Sequence, residues 1–198
     1  MTAVRRPSPQ QHPQSSGRRR PTCYDIACCN RQRHLPVRQA EIRRLLQAAL
    51  RQLGVPAADL SVAIVADAEI AAVHNRWLGV PEPTDVISFD LSGGPGDAGL
   101  GGRPGGDPRQ LRLVGEIIAS AETAARQAAR YGWQADHELA YYLVHGLLHL
   151  CGFDDLAPGP RRSMRRRERQ LMLALGLPAP PRRSGRRAAP PATPPRKR

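Results

Sequence analysis

No stretch of the 198 residues approaches the roughly 18 consecutive apolar residues that a membrane-spanning helix needs. The arginines near the start are followed by no apolar segment, so no signal peptide is expected and Arg5-Arg6 is a poor twin-arginine signal. Cysteine is scarce: Cys23, Cys28, Cys29 and Cys151 include no C-x-x-C, which argues against a disulfide framework or a zinc knuckle and leaves a reducing, cytoplasmic setting as the expectation. Aromatic residues make up 4%, so Trp77, Trp133, Tyr141 and Tyr142 are expected mostly in the core and only secondarily as base-stacking surfaces. Residues 93–106 hold eight glycines, but no G-K-[ST] follows and they open no helix; the segment reads as a flexible loop, not a phosphate cradle.

What the chain has in excess is positive charge, +13, carried by arginine with a single lysine. Residues 1–21 carry five arginines and no acid, and 179–198 carry seven basic residues and no acid, so twelve of the net charges lie in the two ends. The first is Pro, Gln, Ser and Arg and the second holds six prolines; neither can bury enough apolar surface to offset chain entropy, and both are expected to be disordered. Each reads as a solvated tail or as a phosphate-attracting arm. Residues 22–160 stand at −4, whereas 161–169 set six arginines against Glu168. A polyanion would meet that segment and the tails first, although such a face is commonly just solvated. Residues 22–178, in a chain that is 40% hydrophobic, are expected to form one domain with its own core, as a monomer.

Residues 24–29 are an apolar run fit for a strand. Ile42, Leu45, Leu46, Ala49, Leu50 and Leu53 fall at i, i+3, i+4, i+7, i+8 and i+11, one stripe of an amphipathic helix stopped by Gly54. Residues 60–66 read as a strand, Asp67 as the cap of a helix running to about Leu78, and 86–91 and 111–119 as two more strands. Ser120 can cap an Ala-rich helix that Gly132 ends. From about Ala135 a helix apolar around much of its girth runs to Gly152, as a central buried helix would. The last helix, about 161–175, puts Met164, Leu171, Met172 and Leu175 opposite its arginines. This order predicts an α+β fold of mixed α/β layering, a small four-stranded mixed sheet covered by helices, without internal repeats.

The strongest local signal is His145-Gly146-Leu147-Leu148-His149-Leu150-Cys151-Gly152-Phe153-Asp154-Asp155. Two histidines four apart on a helix share a face, so both imidazoles can reach one divalent ion at roughly 2.0–2.1 Å. Gly152 lets the chain leave the helix and turn back, so that Asp155 can close a third bond and leave a fourth position for water. The competing reading, two helical histidines that merely cap or bond within the core, stays open on spacing alone. A zinc protease would need Glu beside the first histidine, where Gly146 stands.

These residues resemble the YbeY endoribonucleases, or rRNA maturation factors. Their signature H-G-x-L-H-L-x-G-[YF]-D-H is matched by His145, Gly146, Leu148, His149, Leu150, Gly152, Phe153 and Asp154, and departs at its last position. Pro83-Thr84-Asp85-Val86-Ile87-Ser88-Phe89 is similar to the family's P-T-D-V-L-S-F, Gly115-Glu116-Ile117 to its G-[DE]-I strand, and Met164 with Glu168 to its closing M-x-x-x-E helix. The resemblance spans about residues 24–176 and implies a metal-dependent endonuclease acting on single-stranded RNA, in small-subunit ribosomal RNA maturation and ribosome quality control. Carried over by position, the metal ligands are His145, His149 and Asp155, with zinc as the expected ion. Asp155 stands where the family has His; an oxygen ligand makes manganese more plausible and bound water less acidic. Leu78 or Gly79 falls where the family has an arginine able to hold phosphate, and Arg76 is the nearest substitute.

The attacking group is left open between water and a ribose 2′-hydroxyl, and no general base is evident. Asp154 is expected to orient a ligand, with an exchange of roles with Asp155 as the alternative. Thr84-Asp85 reads more as a turn than as catalytic; Glu116 could line the metal cleft or pair with an arginine; His74 and His137 read as core or solvated residues, and Cys151 as packing. Two other classes remain as alternatives: a non-catalytic ribosome- or RNA-associated protein that retains the fold and, less favoured, a metalloprotease.

Overall fold

In the computed structural model, residues 22–91 and 112–181 are described. The tails and glycine loop expected at 1–21, 93–106 and 179–198 lie outside these residues, except for 179–181.

Among the described residues nine elements follow in the expected order: β1 (Cys23–Asn30), α1 (Gln39–Leu53), β2 (Ala57–Val65), α2 (Asp67–Leu78), β3 (Val86–Asp90), β4 (Arg112–Ser120), α3 (Ala121–Tyr131), α4 (Ala135–Leu150) and α5 (Pro158–Ala174). The four strands form one mixed sheet in the order β1-β2-β4-β3, with β3 antiparallel to β4 and the other pairs parallel. The fold class is α+β, as expected. β2 starts three residues earlier than its apolar run, because Ala57–Asp59 pair with strands on both sides and Asp59 meets the Arg112 guanidinium on β4.

Strand alternation divides the sheet into two faces. Leu60, Val62 and Ile64 of β2 and Leu113, Ile117 and Ala119 of β4 join α1, α4 and α5 in the main core. Ala63, Val65, Ile87 and Ile118 point the other way and form a smaller cluster with Ile70 of α2. α4 is the central buried helix expected: Leu139 and every residue from Tyr141 to Leu148 are buried, and Tyr142, Leu143, Leu147 and Leu148 are wholly inaccessible.

Gly146 fixes how closely α4 lies on the sheet. A Cβ there would stand 2.7 Å from Ser88 Oγ, 3.1 Å from Ile117 Cγ2 and 3.2 Å from Val86 Cγ2. A residue larger than glycine would force those side chains or the helix to move, which gives a packing reason against a glutamate at this position.

One expected cap differs. Ser120 does cap α3, accepting from the Thr123 N–H at 3.1 Å, but Asp67 does not cap α2; it is that helix's first residue. Its carboxylate instead accepts from Ser120 Oγ, Thr123 Oγ1 and the Arg126 guanidinium, while its own N–H donates to Glu122. A tertiary cluster tying α2 to α3 outcompetes the local cap.

Candidate metal centre

His145 and His149 lie one turn apart at the C-terminal end of α4, His145 buried and His149 partly exposed. Their rings approach with Nε2 to Nε2 at 3.1 Å. The chain leaves the helix through Gly152 at φ 85°, with Gly152 N–H on His149 O at 2.9 Å and Phe153 N–H on Leu148 O at 3.0 Å. That reversal brings Phe153 O to His149 Nδ1 and Asp155 beside both imidazoles. One ligand atom from each of His145, His149 and Asp155 lies within 4.8 Å of the other two, and Asp155 Oδ1 is 3.9 Å from His149 Nε2.

The surrounding hydrogen bonds set which nitrogen of each ring can bind a cation. His145 Nδ1 donates to Glu168 Oε1 at 2.6 Å, and His149 Nδ1 donates to Phe153 O at 3.0 Å. Each neutral ring then keeps its lone pair on Nε2, and the two lone pairs are aimed into one space with a carboxylate beside it. Two nitrogens bound to one tetrahedral ion at about 2.05 Å would stand about 3.3 Å apart. The observed separation and the two-nitrogen, one-oxygen donor set suit a divalent ion.

Glu168 is the part of the site for which sequence reading gave no role. It is 3% exposed, and its other oxygen accepts from Tyr141 OH at 3.1 Å. The signal was there: with Met164, Leu171 and Met172 it completes the i, i+4, i+7, i+8 stripe of α5, one acid on the buried side of an arginine-rich helix. Asp154 does not orient a ligand as expected; it is exposed, and its Oδ1 accepts from Leu156 N–H at 3.0 Å in a local turn. Arg161 steadies the loop instead, donating from Nε to Asp155 O at 2.7 Å and from Nη2 to Leu156 O at 2.8 Å.

The remaining candidates are not members of the ligand cluster. Glu116 projects from the sheet face opposite α4, beside Ser61, Ala27 and Cys29, so it does not line the metal cleft. Asp85 accepts from Thr84 Oγ1 and Val86 N–H, and its carbonyl takes Ser120 N–H, contacts that shape the turn into β3. His74 bonds Glu82 O at 2.7 Å. His137 lies two turns before His145 on α4, beside Trp133. Arg76 sits on α2, in the opposite layer, with its guanidinium over Trp77. Of the four aromatics, Trp77 is the exposed one, 60% accessible and tilted against Phe89. Burial pushes the Cys151 thiol up to about 12, against the pull of Arg167, which fits a packing role.

Two imidazoles held in one tautomer and a loop carboxylate, on an α+β scaffold, define a protein with a candidate metal centre. A family model described as Endoribonuclease YbeY matches residues 27–176. The endoribonuclease YbeY of Moorella thermoacetica is 38% identical over 152 residues, covering 75% of this chain and 95% of that protein. Those of Mycolicibacterium smegmatis and Mycobacterium tuberculosis are 39% and 35% identical, over 59% and 66% of this chain and 64% and 72% of theirs. The chain belongs to the YbeY endoribonuclease family, and the role that goes with it is that of a nuclease, a hydrolase acting on RNA. A solution structure from Thermotoga maritima shares the fold at TM-score 0.51 and 17% identity, over 77% of this chain and 88% of that one. Among the described residues no helix is long and apolar enough to cross a membrane.

Proposed function

We propose that this chain is a metal-dependent endoribonuclease of the cytoplasm that cleaves single-stranded RNA as a monomer, in maturation of small-subunit ribosomal RNA and ribosome quality control. The observation that carries the metal dependence is the pair of Nε2 atoms 3.1 Å apart, both left as lone-pair donors by Glu168 and Phe153 O. Family membership supports the RNA substrate.

Zinc is the proposed ion, with manganese admitted by the oxygen donor of Asp155. His145, His149 and Asp155 would hold it. When bound, such an ion supplies Lewis acidity toward a phosphate oxygen and toward water. The chain's own residues do the positioning. Glu168 and Tyr141 keep the His145 ring from turning, Phe153 O does the same for His149, and Arg161 holds the loop that presents the Asp155 carboxylate. Gly146 lets α4 lie close enough to β3 and β4 to bury the inner side of the site, while His149 and Asp155 stay open to substrate.

The test is cleavage of a labelled single-stranded RNA by the full chain, with and without a chelator, beside His149→Ala. The proposal expects cutting at internal bonds that chelation abolishes, the added ion restores and the variant lacks. RNA binding without cleavage under any divalent ion supplied would make the chain a binding member of the family.

A further inference from the structure

Five arginines on α5, Arg161, Arg162, Arg165, Arg166 and Arg169, are exposed, and the sixth, Arg167, turns aside to donate to Gln52 O. Arg161, Arg165 and Arg169 recur every fourth residue, so they form one row along the helix with about 6 Å of rise between neighbours. Arg162 and Arg166 broaden that row on its outer side. No carboxylate among the described residues pairs with Arg162, Arg165, Arg166 or Arg169. A helix that leaves so many guanidiniums uncompensated pays a self-repulsion that a polyanion would relieve.

The row is tied to the candidate metal centre at two points. Its first member, Arg161, is bonded to the carbonyl of Asp155, and the inner face of the same helix delivers Glu168 to His145. Its starting point beside the triad is therefore set by the contacts that build the triad. Residues 22–160 carry −4 whereas α5 is strongly positive, so among the described residues α5 offers a phosphate chain an attractive surface. A single row on one straight helix can follow one strand, and each guanidinium can grip a phosphate through two parallel N–H bonds.

We propose that the exposed face of α5 is the track along which the phosphodiester backbone of single-stranded RNA lies as it enters the metal centre. The inference rests on the nuclease reading above and adds to it where the flanking nucleotides run.

The test uses the full chain with Arg162, Arg165 and Arg169 changed together to Gln. Arg161 is left in place because it holds the loop. A second variant neutralises Arg182, Arg183 and Arg186, removing the same charge elsewhere. Binding of an end-labelled uridine oligomer is titrated over a salt series in the presence of chelator, so that cleavage plays no part. Far-UV circular dichroism and metal content after reloading check that the variants fold. The α5 variant is expected to bind at least about tenfold more weakly and to lose about 2 from the slope of log K against log salt, with a clearly smaller loss in affinity for the second variant. Equal losses in the two variants, or an unchanged affinity and slope for the α5 variant, overturn the track. RNA bound through α5 but never cut, whatever ion is supplied, would retain the track and remove the nuclease reading; RNA cut normally by a chain whose binding ignores α5 would do the reverse.

Discussion

Glu168 Oε1 accepts the Nδ1 proton of His145 at 2.6 Å across the contact between α5 and α4, with both side chains almost wholly buried. One carboxylate thereby joins the last helix to the chemistry of the central one. It fixes the ring's tautomer and aims Nε2 at the space shared with His149. Tyr141 on the other oxygen holds the carboxylate itself.

Removing that support is expected to weaken the site without unmaking the fold. Glu168→Gln keeps an acceptor for His145 but loses the charge, and is expected to lower metal affinity about tenfold, with Glu168→Ala approaching a hundredfold. Competition with a chromophoric chelator measures both, and circular dichroism confirms the helix content. Identical metal affinity in all three proteins would mean that the contact is merely structural.

The closeness of α4 to the sheet makes a separate prediction. Gly146→Ala places a methyl 2.7 Å from Ser88 Oγ and against Ile117 and Val86, and is expected to cost about 1–3 kcal/mol in urea unfolding. Ser88→Gly removes the nearest atom and should recover part of that loss when combined with it, a coupling that a double-mutant cycle reads directly. Additive effects would show that the helix does not press on that side chain.

Acid sensitivity follows from the cluster at Asp67. Burial opposes ionisation there, but hydrogen bonds from Ser120, Thr123 and Arg126 outweigh it and hold the carboxyl below its ordinary value. A depressed folded pKa contributes stability that is complete above the unfolded pKa of about 3.9 and is lost as pH falls through the folded value. Asp67→Asn is therefore expected to be less stable than the parent at neutral pH, by about 1–3 kcal/mol, with the gap closing below about pH 4. Urea titrations at neutral and acid pH measure it; a gap independent of pH would assign the loss to shape instead of charge.

The element order, the central helix and the grouping of His145, His149 and Asp155 were legible because each rests on a local period or spacing: the α1 stripe, the apolar girth of α4, the histidines one turn apart with a glycine exit just after them. What escaped were pairings between distant segments. Glu168 reaches His145 across 23 positions, and Asp67 reaches Ser120 across 53, so no window along the chain shows either partner. Asp154 misled for the opposite reason. Its place beside Asp155 suggested a role at the ion, but its short side chain is satisfied by the nearest backbone N–H, that of Leu156. The face of β4 on which Glu116 lies depended on strand register, which the sequence pattern left ambiguous between two covered layers.

Asp155 stands where the signature this sequence resembles has His, and that difference is testable by reversal. Its carboxylate lies 3.9 Å from His149 Nε2, within the same 4.8 Å cluster of ligand atoms as His145. Oxygen donors suit harder ions, and imidazole suits zinc. Asp155→His is therefore expected to raise the ratio of zinc to manganese retained after dialysis against an equal mixture of the two, while Asp155→Ala should release both. The same Asp155→His change removes a negative charge beside the ion, so coordinated water should become more acidic and the pH profile of any metal-dependent cleavage should move to lower pH. Elemental analysis reads the first effect and a rate series over pH the second. Metal retention that is indifferent to residue 155 would reduce the centre to its two histidines and leave the aspartate as a loop residue held by Arg161.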